Sequence, residues 1–199
     1  LGLRQTSGGQ LLLDGEDIGH WPVRRRREAG IGYVPEDRHR RGLLLDAPLW
    51  ENAMLGHQTM APFARGPFLD RSGARSATTR IVEHFDVRTP GIDTSARALS
   101  GGNQQKLVIG REMAASPRLL VAAHPTRGID VGAQASVWAD LRAARREGLA
   151  MLLVSADLEE LIGLADRLVV MLRGRVVAEL DPATTTPRIL GGYMTGADE

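Results

Sequence analysis

The sequence predicts an α/β protein built on a mostly parallel sheet, with a block of helices inserted into it. Three observations carry this. Two short, continuously apolar runs, Leu119–Ala123 and Ala150–Val154, are each followed by a helical segment; such strand–helix alternation implies buried parallel strands joined by right-handed crossovers. Between an earlier strand candidate, Ile31–Val34, and Leu119 the pattern is helical from about Leu49 to Ala115. Near the end, Leu168–Leu172 and Arg175–Leu180 flank Arg173-Gly174, a two-residue hairpin signal.

Composition sets the bounds. A chain of 199 residues buries roughly 70 per cent of its unfolded surface, enough for one substantial core or two small lobes. Hydrophobic content of 43% with 25% charged residues is that of an ordinary globular protein. A net charge of +1 gives no global field for nucleic acid or anionic lipid. The absence of cysteine excludes disulfides and thiolate metal sites. The five histidines show no paired ligand spacing, so no metal site is expected. No apolar run approaches the roughly 20 residues of a membrane helix.

In chain order, Leu1-Gly2-Leu3 reads as the end of a helix followed by the turn-rich Thr6-Ser7-Gly8-Gly9, so a segment upstream is expected to be missing. Leu11–Leu13 enters a turn at Asp14-Gly15. Pro22 opens a helix carrying Arg24–Arg27; without interleaved aromatics these arginines read as a solvated face rather than a nucleic-acid site. Ile31–Val34 is a buried strand stopped by Pro35, and Glu36–Gly42 a charged loop. Leu49–His57 is a short helix, residues 58–70 a loop, and Arg71–Phe85 a helix with Ala77, Ile81, Val82 and Phe85 on one side. Val131–Arg146 is a helix stopped at Glu147-Gly148, and Asp157 caps another through Ala165. Thr186–Met194 is a marginal helix.

Leu99-Ser100-Gly101-Gly102-Asn103-Gln104-Gln105-Lys106 carries the chemistry. A hydroxyl residue and two glycines precede good helix formers through Ala115, ending before Pro117. That layout places Ser100, Gly101 and Gly102 at a helix N-terminus, where unpaired N–H groups and the dipole favour an anion of phosphate size. Taken alone, the same residues also make an ordinary serine cap with a flexible glycine pair.

The order of motifs around this stretch resembles the nucleotide-binding domain of ABC transporters over nearly the whole chain. Leu99–Lys106 matches the family signature in the longer form LSGGNQQK, Arg118–His124 resembles the Walker B segment, and Pro125–Ala133 resembles the D-loop. The forms Tyr33-Val34-Pro35-Glu36-Asp37-Arg38 and Pro125-Thr126-Arg127-Gly128-Ile129-Asp130-Val131-Gly132 resemble the carbohydrate and nucleoside importer branch, and within it the second of two tandem ATP-binding domains. The resemblance implies an incomplete P-loop NTPase domain over residues 1–199. Its α/β core is expected at about 1–45 and 116–199, and its helical signature lobe at about 46–115.

Departures from the family pattern sharpen the expectation. The phosphate-gripping glycine loop with its lysine is not in these residues. The Walker B aspartate and the glutamate after it read Ala123 and His124, the switch histidine position reads Ala156, and the Q-loop glutamine position reads Glu36. Alanine offers magnesium no oxygen, and Glu36 repels phosphate unless a metal or an arginine intervenes. By resemblance, Ser100, Gly101, Gly102, Asn103 and Gln104 would serve ATP held by a second nucleotide-binding domain, with Gly128, Ile129 and Asp130 in the D-loop and no intact catalytic or metal residue of this chain's own. ATP and Mg2+ are then cofactors of the full assembly, bound poorly by this fragment alone. The partners implied are a second nucleotide-binding domain, transmembrane permease subunits and, indirectly, a solute-binding protein, at the cytoplasmic face of the cell membrane, with no nucleic acid. The rival expectations are a non-transport ABC-type ATPase and a pseudo-ATPase scaffold that hydrolyses nothing.

Overall fold

The computed structural model describes residues 2–4 and 7–196. Leu1 and Thr6, part of the turn-rich start, lie outside them; Gly2 and Leu3 are not helical. A minimal hairpin, β1 (Leu12–Leu13) and β2 (Glu16–Asp17), turns at Asp14 and Gly15, both with positive φ. Helix α1 (Val23–Glu28) leads into β3 (Ile31–Val34), and Asp37 caps the four-residue α2 (Arg38–Arg41) in what the sequence reads only as a loop. Helix α3 covers Leu49–Met54, stopping short of the expected His57.

The stretch 58–70 is not a plain loop. It carries a second small hairpin, β4 (Ala64–Arg65) and β5 (Phe68–Leu69), around Gly66-Pro67. Helix α4 (Arg71–His84), a 3₁₀ turn at Ala96–Ala98 and α5 (Gly101–Ala114) complete the helical block. Then come β6 (Leu119–Ala123), α6 (Val131–Arg146), β7 (Ala150–Val154), α7 (Leu158–Leu164), the hairpin β8 (Leu168–Leu172) and β9 (Arg175–Leu180), and α8 (Pro187–Thr195). Arg173 and Gly174 both take positive φ, as a two-residue turn between right-twisted strands requires.

The central sheet is parallel, in the order β3-β6-β7, with Ile31 opposite Leu119 and Leu119 opposite Ala150. One core, centred on Val34, Leu49, Leu107, Ile109, Leu120 and Val137, spans sheet and helical block together. The expectation that β7 is fully buried is corrected. It is an edge strand among the described residues, and Leu152 and Val154 are half exposed. Beside it, a trough of about 720 Å³, lined mainly by apolar residues with Arg145, Asp166 and Arg167 among them, lies between β7 and β8.

The arginine row of α1 also needs correction. Arg24 and Arg25 face solvent, but Arg26 is buried and donates to the carbonyls of Trp21 (3.0 Å) and Gly19 (2.9 Å). Arg27 turns inward to Glu112, which is 1% exposed. The Glu112 carboxylate accepts from Arg27 Nη1 (2.6 Å) and Nη2 (3.1 Å), from Arg111 Nε (3.0 Å) and from the Tyr33 N–H (3.0 Å). Arg111 in turn donates to the carbonyls of Gly42 (2.8 Å) and Asn52 (3.2 Å). One buried carboxylate thus ties α1, β3, α3 and α5 together.

Burial by itself would push the Glu112 carboxyl up, but His57, Arg111 and Arg27 outweigh it and hold the group well below the usual carboxylate range. A depressed folded-state pKa adds stability above the unfolded value of about 4.3, and that stability is lost as pH falls below it. Glu112→Gln is therefore expected to cost about 3–5 kcal/mol at neutral pH, because two guanidinium groups lose their buried counter-charge. Urea unfolding at pH 7 and pH 4 checks this: the variant should lose less between the two than the parent does.

Candidate functional site

Ser100 is the N-cap of α5, in extended conformation at φ −62° and ψ 157°. Its Oγ accepts from the Asn103 N–H (3.4 Å) and from Asn103 Nδ2 (3.0 Å). Both bonds come from within the turn, so the hydroxyl hydrogen is left to donate outward from an exposed side chain. Gly101 and Gly102 occupy the first helical turn, whose N–H groups have no acceptor four residues earlier. Together these donors suit a phosphate oxygen.

The other two signature side chains point into the protein. Asn103 Oδ1 accepts from the Arg88 N–H (2.8 Å). Gln104 is buried, its Nε2 donating to the Ala96 carbonyl (3.0 Å) and its Oε1 facing Arg38 Nε (3.3 Å) and His39 Nε2 (2.8 Å). Asn103 and Gln104 therefore shape the turn from behind.

Packing also accounts for the two glycines. A Cβ on Gly101 would stand 2.7 Å from Arg38 Nη2 and 3.2 Å from the Gly128 carbonyl oxygen; one on Gly102 would stand 2.8 Å from the Ala133 Cβ. The signature turn sits directly against α6 and the loop before it, and at Gly102 the close approach favours glycine.

That loop, Pro125–Asp130, is pinned at several points. Thr126 Oγ1 donates to the buried Glu160 (2.6 Å), which also accepts from Trp138 Nε1 (3.3 Å). Gly128 takes φ +69°, Ile129 packs against the main core, and Asp130 caps α6 through the Ala133 N–H (2.9 Å). Arg127 forms an ion pair with Glu36, which supplies the arginine that a negative charge at the Q-loop position requires. Arg38 Nη1 donates to the Arg127 carbonyl (2.9 Å) and Nη2 to that of Gly128 (3.3 Å). Partial burial lowers the Arg38 pKa from its ordinary value, and the charge of Asp37 opposes this. Tyr33, the segment Glu36–Arg41, Ala123, Arg127 and Gly128 line a cleft of about 570 Å³.

At the end of β6, His124 adopts φ +47°, uncommon for a residue with a Cβ. Its N–H donates to the Val154 carbonyl (2.8 Å), and its Nδ1 accepts from the Ala156 N–H (3.4 Å). In a neutral ring so held the proton sits on Nε2. Ala123, Ala156 and His124 provide no oxygen ligand, and among the described residues no group of three acidic, histidine or cysteine side chains converges on a metal position. The residues at the end of β6 do not fit magnesium; the Ser100 turn does fit an anion.

The sequence profile of the family described as "ABC transporter" matches residues 1–127, more than half of the chain. The chain belongs to the ABC transporter family. It is 43% identical over 198 residues to the guanosine import ATP-binding protein NupO of Bacillus subtilis, covering all of this chain and 39% of that protein. It is 40% identical over 197 residues to the nucleoside import ATP-binding protein NupA of Lactococcus lactis, covering 99% and 39%. The chain thus spans about two fifths of the length of the curated relatives it matches. Among solved structures, a nucleotide-free ATP-binding cassette of an ABC transporter superposes with a TM-score of 0.77 at 20% identity, over 96% of this chain and 79% of that one. A cassette in a dimeric post-hydrolysis state with ADP and Pi gives 0.74 at 19% identity, over 90% and 76%. The fold of the ABC chain described here is that of an ABC ATPase, with the sheet β3-β6-β7, the helical block and the C-terminal hairpin.

The sequence does not reveal that Arg38, Glu160 and Gln104 hold the site. Apart from Trp138 and Ala96, their partners lie 34 to 90 residues away, beyond any local pattern. Gly102→Ala is expected to force α5 from α6 and lower stability by about 1–3 kcal/mol. Urea unfolding reads the loss; a variant as stable as the parent would mean that the two helices have room to spare.

Proposed function

We propose that this chain is part of the ATP-binding subunit of an ABC importer for nucleosides or simple sugars, and that it acts chiefly on ATP held by another domain. Its relatives are named for guanosine, nucleoside and ribose import. The observation that carries the asymmetric reading is a contrast within one chain: the turn at Ser100 and Gly101 presents outward donors, while Ala123 and Ala156 bring no side-chain oxygen and His124 Nδ1 is engaged by the Ala156 N–H.

In this reading residues 46–115 act as a helical signature lobe on an α/β core, and two nucleotide-binding domains meet head to tail. The hydroxyl of Ser100 and the N–H groups of Gly101 and Gly102 donate to the phosphate oxygens of the partner's ATP as the pair closes. Donors fixed in advance stabilise the charge of the transferring phosphoryl group without reorganisation. ATP and magnesium belong to the assembled pair. Closure would drive permease subunits, with a solute-binding protein supplying solute from the far side. Among the described residues no helix is long and apolar enough to cross a membrane, so attachment at the cytoplasmic face would run through the permease. The segment Glu36–Gly42 and the helical block are the surfaces proposed for that docking.

Ser100→Arg in the full-length protein with its partner subunits is expected to abolish ATP turnover, since the guanidinium would fill the space of the phosphate. His124→Ala is expected to leave turnover nearly unchanged. Phosphate release by both variants decides the matter, and a large loss in His124→Ala would overturn the asymmetric reading.

A further inference from the structure

We propose that Arg38 is a positioning residue that couples the Glu36–Arg41 segment to the signature turn and to the Pro125–Asp130 loop. Its guanidinium meets acceptors on two separate parts of the chain. Nε faces Gln104 Oε1 in the first turns of α5 (3.3 Å), while Nη1 and Nη2 donate to the carbonyls of Arg127 (2.9 Å) and Gly128 (3.3 Å). Arg38 itself belongs to a third part, the segment following β3.

The packing is close enough for movement to be transmitted. A Cβ on Gly101 would lie 2.7 Å from Arg38 Nη2 and would displace the guanidinium. Gln104 carries the contact further inward, since its Nε2 is committed to the Ala96 carbonyl (3.0 Å). With that nitrogen occupied, Oε1 accepts from Arg38, and His39 donates to it through Nε2 (2.8 Å) as a second link from the same segment. A displacement of the Glu36–Arg41 segment therefore pulls on the turn that bears the outward donors of Ser100 and Gly101. Only arginine serves here: its planar fork reaches three acceptors at once, whereas the ammonium of lysine is a single point charge.

The inference deepens the proposed reading of the Ser100 turn and rests on it for its effect on turnover. The test uses the full-length protein with its partner subunits, comparing Arg38→Ala, Arg38→Lys and, as reference, Ser100→Arg. In Arg38→Ala, maximal ATP turnover is expected to fall by about 10²-fold, as for a misplaced donor, with the KM for ATP kept, because ATP is gripped elsewhere. Amide exchange at Gly101–Asn103 and Gly128–Asp130 is expected to quicken by about tenfold. Arg38→Lys should restore neither. Unchanged exchange in Arg38→Ala, or full turnover in Arg38→Lys, overturns the proposal. If Ser100→Arg keeps its turnover, the reading of the signature fails, and exchange alone then judges whether Arg38 holds the turn. Should Arg38→Ala not fold, Arg38→Gln is read by the same two measures.

Discussion

The constraint on which the rest depends is the burial of one carboxylate. Glu112 sits on α5 with almost no exposure, and it satisfies Arg27, Arg111 and the Tyr33 N–H at once. A buried charge is tolerated only when paired and hydrogen-bonded, so these partners cannot drift apart without a cost of several kcal/mol. Arg111 adds the carbonyls of Gly42 and Asn52, and Asn52 closes the stretch between them through Leu44, Ala47 and Pro48. The helical block is thereby fixed to β3, and α5 is fixed along its axis. The position of the Ser100 turn at the other end of α5 follows from this anchor.

At that other end, two further polar tethers take over. Glu160 holds the Pro125–Asp130 loop from below through Thr126 and Trp138, and Arg38 holds it from above through two backbone carbonyls. Apolar packing alone would not fix such a loop, because the hydrophobic effect is non-directional. Hydrogen bonds with defined geometry do, and each of these uses a charged partner, the stronger kind. The loop and the Glu36–Arg41 segment line one cleft, and the signature turn packs against Arg38 beside it. The Glu36–Arg127 pair spans it and cancels a charge that would otherwise repel phosphate.

Regular elements with local punctuation were legible in the sequence. The helix over Val131–Arg146 has the expected bounds and stops at Glu147-Gly148, and the hairpin turns at Arg173-Gly174. The donors of the Ser100 turn were also legible, since a cap and its first turn are local. What escaped depends on distant partners. Nothing around Arg27 announces a carboxylate 85 residues on, so a row of arginines reads as solvated. The apolar run of β7 implies cover on both faces, yet Leu152 and Val154 stand half exposed at a sheet edge. Gly66-Pro67 reads as a breaker, and the short strands it joins are too brief to show alternation.

In the proposed reading, the glycines of the signature serve two physical ends at once. A backbone that must approach a phosphate needs glycine, and so does a helix start pressed against Arg38, Gly128 and Ala133. These demands reinforce each other, because the same close packing that excludes a Cβ holds the free N–H groups in a fixed direction. Electrostatic stabilisation of a transferring phosphoryl group depends on such fixed donors. The positions at the end of β6 contrast with this. His124 is held by Ala156 and Val154 in a conformation that turns its nitrogen lone pair inward. Donors are therefore held at the Ser100 turn, while Ala123 at the end of β6 and Ala156 just after β7 bring no side-chain oxygen. In the proposed head-to-tail pair, such a domain would offer donors to negative charge on its partner's nucleotide rather than activate water at its own site.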